Sequence, residues 1–364
     1  MGTTASAIPR WTVGAPLLGW LALAGSAFVH APAWIAVLAA GLMASVLASV
    51  HHAEVLAHRT GEPFGTLVLA GAVTVIEVAL IVTLMLAGGA ESSGLARDTV
   101  FATVMIILNG IVGLCLVVGG TKHGEQAYST LGVNAGLSTL AAIVVMALVL
   151  PNFTTTTPGP CYSPHQLAFV AAVSSLLYGT FVFVQSVRHR HYFLAPGEGE
   201  EHDAADPHAA MPSNATTAAA GGLLAVCLGA VVLLAKALSP FLEAALDHVG
   251  APPATGGVII AAVVLLPEGL AAVRAARANR LQTSLNLAIG SALASIGLTI
   301  PAVALVSLQG GWPLALGIDP RSTVLLLLTL QVATLSLATG RSTVLQGAIH
   351  LVVFAVYLFT TVVP

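Results

Sequence analysis

Eleven apolar stretches, each long enough to form a helix across a bilayer, run through this sequence of 364 residues. A helix needs about 20 apolar residues to cross the hydrocarbon core of a membrane. The stretches are rich in Ala, Leu, Val and Gly and lack strand-like alternation, which favours helices over a barrel. Their approximate limits are 13–30, 33–57, 65–88, 98–120, 131–150, 164–187, 218–239, 254–276, 284–308, 321–339 and 343–363. The sequence predicts an all-α polytopic membrane protein with eleven transmembrane helices, the first retained and not cleaved as a signal peptide.

Charged side chains are too few for a protein dissolved in water. Asp, Glu, Lys and Arg make up 7% of the chain, whereas a soluble domain carries roughly a quarter. This composition excludes a soluble enzyme and a disordered chain, and the net charge of −3 excludes a nucleic-acid partner. We find no P-loop and no paired nucleophile and base, so we expect neither an enzyme nor a bound cofactor.

The distribution of Lys and Arg predicts the orientation, because short cytoplasmic loops are enriched in these residues. With the N-terminus inside, nine basic residues fall on the cytoplasmic side: Arg10, Arg59, Lys122, Arg188, Arg190, Arg274, Arg277, Arg280 and Arg341. Only three fall outside, namely Arg97, Lys236 and Arg321. We therefore expect a bacterial inner-membrane protein with a cytoplasmic N-terminus and a periplasmic C-terminus.

One polar, acidic stretch divides the chain. Residues 188–217 are interrupted by Pro and Gly and are predicted to form a cytoplasmic linker. Residues 1–32 hold the first helix, and 33–187 and 218–364 each hold five. Because five is an odd number, a second copy of such a unit enters the membrane inverted, as in many secondary transporters.

Two glutamates occupy matching places in these two halves. Glu77 lies twelve residues after Gly65, and Glu268 lies twelve residues after Gly256, each pair joined by an apolar run. Every other acidic residue falls in a predicted loop, in the linker or near the end of a span. A charge at the bilayer centre costs about 2.5–3.5 kcal/mol on insertion scales, so we expect an ion or proton site. The alternative is a pair of protonated glutamates that hydrogen-bond between helices.

Neighbouring residues supply further oxygen ligands. Pro267 has no N–H to donate to the carbonyl of Val263, which predicts a kink and a free backbone oxygen just before Glu268. Hard cations such as Ca²⁺ bind carboxylate, carbonyl and hydroxyl oxygens. The predicted ligands are Glu77, Glu268, the backbone carbonyl of Val263, Asn109, Ser291 and Ser295.

Exchange follows from the charge of such a site. Two ionised carboxylates neutralise one divalent cation, and without the cation they bind protons instead. A site that reorients only when it is loaded makes the protein an antiporter, with rocking repeats that provide alternating access. A passive cation channel with an acidic selectivity site is the alternative.

The residues around these glutamates resemble a known family. Residues 51–82, 108–126 and 266–303 are similar to the calcium/cation antiporter superfamily, in particular its cation/proton exchanger branch with the bacterial ChaA-type transporters. The resemblance implies Ca²⁺/H⁺ exchange, in ChaA-type members also of Na⁺ or K⁺, and places Asn109 and Ser291 near the ion. This chain has Met105 to Leu108 where many members carry hydroxyl residues before Asn109, so fewer hydroxyl ligands are expected there.

Weaker patterns carry further expectations. His51, Glu54 and His58 share one helix face and predict a cytoplasmic proton or cation funnel, or alternatively an ordinary solvated helix end. Gln331 and His350 are typical of interhelical hydrogen-bond partners. The expected partners are the transported cations and protons and the membrane lipids, and a homo-oligomer is compatible with the sequence.

Overall fold

The computed structural model describes residues 8–29, 31, 33–60, 64–88, 93–194, 212–252 and 254–363. These residues form twelve α-helices, several short π and 3₁₀ segments, and one pair of two-residue strands. They divide into two compact units. Unit 1 comprises Met1–Leu84 and Glu201–Val249, and unit 2 comprises Met85–Glu200 and Gly250–Pro364.

Unit 1 is a bundle of long helices. Its helices are α1 (Arg10–Gly25), α2 (Ala33–Thr60), α3 (Phe64–Gly88, in this unit as far as Leu84) and α8 (Asn214–His248). Small residues bring α1 and α2 close together: a Cβ added at Gly41 would lie 3.4 Å from the Gly19 Cα. Val46 of α2, Ile76 of α3 and Val231 of α8 form one apolar cluster, which joins α3 to the bundle.

Unit 2 contains the remaining helices. They are α4 (Leu95–Met105), α5 (Val112–His123), α6 (Thr130–Val144), α7 (Pro164–Phe183), α9 (Ala254–Arg277), α10 (Leu281–Gly310), α11 (Pro320–Ser336) and α12 (Val344–Val362). A π segment, Ile106–Ile111, joins α4 to α5 without a break, and every residue in it is buried. Helix α10 lies at the centre of the unit, since it contacts α4, α5, α6, α7 and α9.

Helices occupy all eleven stretches predicted from the sequence. Within the described residues, eight helices are long and apolar enough to cross a membrane. Helices α1 and α11, of 16 and 17 residues, are shorter than the roughly 20 residues that a full crossing takes. The chain is thus an integral membrane protein built from helices, while the number of eleven spans remains a prediction.

The end of α8 differs from the prediction, whereas the end of the α7 stretch agrees with it. Helix α8 continues through Pro240 to His248 instead of ending near residue 239. Its last turns contain good helix formers, and the Ser239 hydroxyl donates to Glu243 Oε1 over 2.8 Å. Helix α7 continues as the π segment Val184–Arg188, which ends where the linker was expected to begin.

Both ends of the predicted linker are structured. Residues Arg190–Phe193 form a 3₁₀ turn, in which the buried Phe193 ring packs edge-on against Phe181. The Phe193 carbonyl accepts a hydrogen bond of 2.6 Å from Asn286 Nδ2. Residues 195–211, which hold the acidic residues of this linker, namely Glu198, Glu200, Glu201, Asp203 and Asp206, lie outside the described residues.

Loops of unit 2 pair with each other at two separate places. Gln126 and Ala127 pair antiparallel with Ser342 and Arg341, which joins the α5–α6 loop to the α11–α12 loop. Cys161 forms a similar bridge with Ala315, which joins the α6–α7 loop to the α10–α11 loop. If 33–187 and 218–364 are inverted repeats, the two pairings are equivalent and lie on opposite sides of the membrane. The repeat itself stays a prediction.

Candidate cation site

A buried carboxylate and a serine hydroxyl meet between α9 and α10. Glu268 lies in the middle of α9 with 7% of its surface exposed, and its Oε1 accepts a hydrogen bond of 2.9 Å from Ser291 Oγ. The short α9–α10 turn brings these residues together, because it makes the two helices adjacent. Carboxylate and hydroxyl oxygens are the ligands that hard cations prefer. The pair is therefore suited to hold either a cation or a proton.

Helix α10 presents further hydroxyls on the same face. Ser295 and Thr299 follow Ser291 at intervals of four residues, and both are buried. The sequence predicted Ser291 and Ser295 but missed Thr299. The spacing of four residues between successive hydroxyl side chains, continued from Ser291 and Ser295, would have predicted Thr299.

Glu77, a residue of unit 1, is buried. It lies in α3 with 2% of its surface exposed, and Thr74, which is also buried, precedes it by one helical turn. A buried carboxylate with a neighbouring hydroxyl again provides oxygen ligands. The site that Glu77 and Glu268 are predicted to share stays a prediction.

The predicted backbone ligand is located in the middle of a continuous helix. Helix α9 runs unbroken from Ala254 to Arg277 and contains Pro267 in its interior. Because Pro267 lacks an N–H, the carbonyl of Val263 has no donor at the usual position four residues later. Its role as a ligand remains a prediction.

Asn109 lies in the π segment and belongs to a buried polar cluster. Its Nδ2 donates to Thr329 Oγ1 of α11 over 2.9 Å, and its Oδ1 faces Nδ1 of His350 in α12 at 3.4 Å. The other ring nitrogen, Nε2, lies 2.8 Å from Ser336 Oγ. Asn109, Thr329, His350 and Ser336, which we call the asparagine cluster, are all buried. One predicted ligand is therefore held by residues from two later helices.

The π segment that carries Asn109 packs against the turn of α9 that carries Glu268. Ile111, at the end of the π segment, packs against Gly269, where an added Cβ would lie 3.2 Å from Ile111 Cδ1. Gly257 of α9 likewise packs against the backbone of Asp98 at the start of α4. These two contacts fix α9 along the length of α4 and the π segment.

The predicted funnel residues lie at the C-terminal end of α2. Glu54 and His58 are exposed, and His51 is half-buried beside Trp11, with 6.1 Å between the ring centres. The sequence missed the next residue, His52, which is fully buried with Nε2 3.1 Å from the Thr12 carbonyl of α1. Whether the exposed face conducts ions remains a prediction.

Gln331 and His350, which the sequence suggested as interhelical hydrogen-bond partners, differ in their surroundings. His350 is an interhelical hydrogen-bond partner, as its position in an apolar helix predicted. Gln331, in contrast, is exposed on α11. Thr329 was not predicted, because a single threonine in an apolar helix does not stand out in the sequence.

Comparisons with known proteins agree with these features. The family described as "Sodium/calcium exchanger protein" matches residues 30–187 and 219–363. A Sinorhizobium fredii protein named as an ionic transporter, y4hA, is 48% identical over 98% of this chain and 97% of its own length. The Escherichia coli sodium-potassium/proton antiporter ChaA is 37% identical over 88% of this chain and 86% of its own.

A solved structure shows the same fold. The crystal structure of the H⁺/Ca²⁺ exchanger CAX superposes with a TM-score of 0.72 at 16% identity, over 97% of this chain and 89% of that one. The matched family segments together cover most of the chain, including both glutamates and the asparagine cluster. The chain therefore belongs to the sodium/calcium exchanger protein family and, within the calcium/cation antiporter superfamily, to the ChaA type.

Proposed function

We propose that the protein is a secondary active antiporter of the bacterial inner membrane that exports Ca²⁺ in exchange for H⁺. The observation that carries this proposal is the buried Glu268 carboxylate, which accepts a hydrogen bond from Ser291 inside an apolar helix pair. An intramembrane carboxylate is costly and typically serves an ion or proton pathway. Membership of the antiporter family adds independent support.

Binding of cation and proton to the same carboxylates would couple the two fluxes. A cation displaces the proton from Glu268 and takes Ser291 Oγ as a further oxygen ligand, while Glu77 supplies the second carboxylate charge. Since two carboxylates balance one divalent cation, Ca²⁺ is the first candidate and two protons per Ca²⁺ the expected ratio. Na⁺ and K⁺ are the alternatives, because the Escherichia coli relative is named for both.

Proton flux in inside-out vesicles tests the proposal. The vesicles have an acidic interior and a pH-sensitive dye, and Ca²⁺, Na⁺ and K⁺ are added in turn to the outside. We expect wild type to release protons when its substrate is added, and Glu77→Gln and Glu268→Gln to abolish this release. Glu243→Gln is the matched control, because Glu243 is exposed on α8 and should leave the flux unchanged.

Two results would contradict the proposal. Proton flux that survives either substitution would assign that glutamate a structural role. Cation movement without proton release would favour the passive channel. A strong dependence of Ca²⁺/H⁺ exchange on membrane potential would contradict only the ratio of two protons.

A further inference from the structure

We propose that His350 is a positioning residue of the exchanger, which holds the side-chain amide of Asn109 in one orientation beside the cation site. This inference rests on the proposed function, because it assigns a role in cation binding. Its support comes from the burial of the asparagine cluster and the hydrogen bonds within it, none of which involves Glu77 or Glu268 directly.

The hydrogen-bond partners of His350 define its tautomer. Asn109 Oδ1, which faces Nδ1, can only accept a hydrogen bond, so Nδ1 is the protonated nitrogen. Nε2 is then the acceptor, and the Ser336 hydroxyl donates to it over 2.8 Å. The ring also lies against the backbone carbonyl of Leu108, another pure acceptor. In this arrangement the neutral ring carries its single N–H on Nδ1, which faces Asn109.

With Nδ1 protonated, the ring pairs with only one orientation of the Asn109 amide. In that orientation Nδ2 donates to Thr329 Oγ1 and Oδ1 accepts from His350. A flipped amide would place two donors, Nδ2 and the His350 Nδ1–H, against each other. In a buried cluster such an unpaired donor is unfavourable, and we expect it to shift the population of the flipped amide by about tenfold.

The orientation of Asn109 affects the cation site through the π segment. All residues of Ile106–Ile111 are buried, and Ile111 packs against Gly269, the residue after Glu268. A π segment is often found at functional sites, where it aims a side chain away from the regular helical position. A rotated Asn109 amide would therefore present an N–H group in place of an expected oxygen ligand, on the segment that packs against Gly269.

Two amide substitutions separate this role from simple packing. The Nδ2 of asparagine can occupy the place of the histidine Nδ1, so His350→Asn keeps a donor for Asn109. The longer glutamine places its amide near the position of Nε2, so His350→Gln keeps the contact with Ser336 and loses the donor. Both substitutions leave a neutral, polar side chain, which makes them a matched pair.

The test is the apparent KM for cation-driven proton release in the vesicle assay. We expect His350→Asn to stay within about threefold of wild type, and His350→Gln to raise KM about tenfold with a smaller change in the maximal rate. Thr329→Val removes the other anchor of Asn109 and should raise KM similarly. Gln331→Leu, an exposed change on the same helix as Thr329, is the control and should leave KM unchanged.

The outcomes distinguish this inference from the proposed function. KM does not depend on how much protein folds, so poor expression of one variant does not mimic the expected result. Equal KM values for His350→Asn and His350→Gln would overturn the positioning role. A shift in the pH dependence of exchange in His350→Asn would also overturn it, because such a shift indicates that His350 titrates during transport. If His350→Gln cannot be reconstituted, an unchanged KM in Thr329→Val refutes the inference. Failure of wild type to exchange, in contrast, refutes the proposed function.

Discussion

Replacement of Gly347 by alanine should move α12, which carries His350 of the asparagine cluster, away from α5. A Cβ at Gly347 of α12 would lie 2.6 Å from the backbone N of Val117 and 2.8 Å from the backbone O of Gly113, both in α5. Backbone atoms in a packed helix cannot move aside at low cost. To reach an ordinary contact distance of 3.4 Å from the Val117 nitrogen, α12 has to move about 0.8 Å away from α5.

The size of this displacement sets the expected effect. Overpacking of this kind costs about 1–3 kcal/mol of folding free energy. His350 follows Gly347 by one helical turn, so the same movement would lengthen its 3.4 Å contact with Asn109 to about 4.2 Å, beyond hydrogen-bonding distance. We therefore expect Gly347→Ala to lower the thermal midpoint and to raise KM.

The assay compares thermal midpoints in one detergent, together with KM in vesicles. Gly179→Ala in α7 is the matched control, because no atom lies within 4 Å of an added Cβ there. Alanine in that helix interior should stabilise by about 0.5–1 kcal/mol relative to glycine. A midpoint for Gly347→Ala equal to or above that of wild type would refute the packing argument.

Three further predictions concern single side chains. Ser291→Ala should raise the apparent KM for the cation about tenfold, because it removes the hydroxyl that donates to the Glu268 carboxylate. An unchanged KM in the vesicle assay would exclude Ser291 from the site. Asp319 caps α11 and is half-exposed; burial acts to raise its pKa, but hydrogen bonds from Ser322 and the nearby Arg321 outweigh this and hold the pKa below its ordinary 3.8. Its charge therefore stabilises the fold above pH 3.8, and this contribution is lost as the pH falls through the lowered pKa. The thermal midpoint of wild type should exceed that of Asp319→Asn at neutral pH, and the difference should shrink on acidification. A difference that stays constant with pH would contradict this prediction. Burial raises the pKa of Tyr128 and of Tyr162 to about 12, so Tyr128→Phe and Tyr162→Phe should leave the tyrosinate absorbance below pH 11 unchanged, and a loss of that signal would show an exposed ring.

The sequence predicts the helices and the glutamates because both depend on local information. An apolar stretch of about 20 residues is recognisable without any knowledge of its neighbours. Glu77 and Glu268 stand out because a carboxylate in such a stretch is costly wherever the stretch packs. Ser291 was predicted for a similar reason, as a hydroxyl in the span next to Glu268.

The asparagine cluster could not be predicted, because it depends on contacts between distant parts of the chain. Asn109 is 220 residues away from Thr329 and 241 away from His350. None of the three helices carries a periodic pattern that specifies the partner. The π segment at Ile106–Ile111 is equally hidden, since an apolar sequence fits an α-helix and a π turn alike. The early end expected for α8 had a different cause, because Pro240 and the nearby charges outweighed the helix propensity of the residues that follow.

The pairing of Gln126 with Ser342 also constrains how the chain is assembled in the cell. The two residues are separated by 216 positions, and at about 5–20 residues per second the ribosome needs roughly 10–40 s to make the chain between them. For most of that interval the segment that carries Asn109 has been synthesised without its partners, since Thr329 is made shortly before Ser342 and His350 after it. The nascent first half must therefore keep a polar side chain satisfied in the membrane by temporary means, such as water, lipid headgroups or an insertion factor. Closure of the Gln126–Ser342 pairing therefore belongs to the late steps of biogenesis.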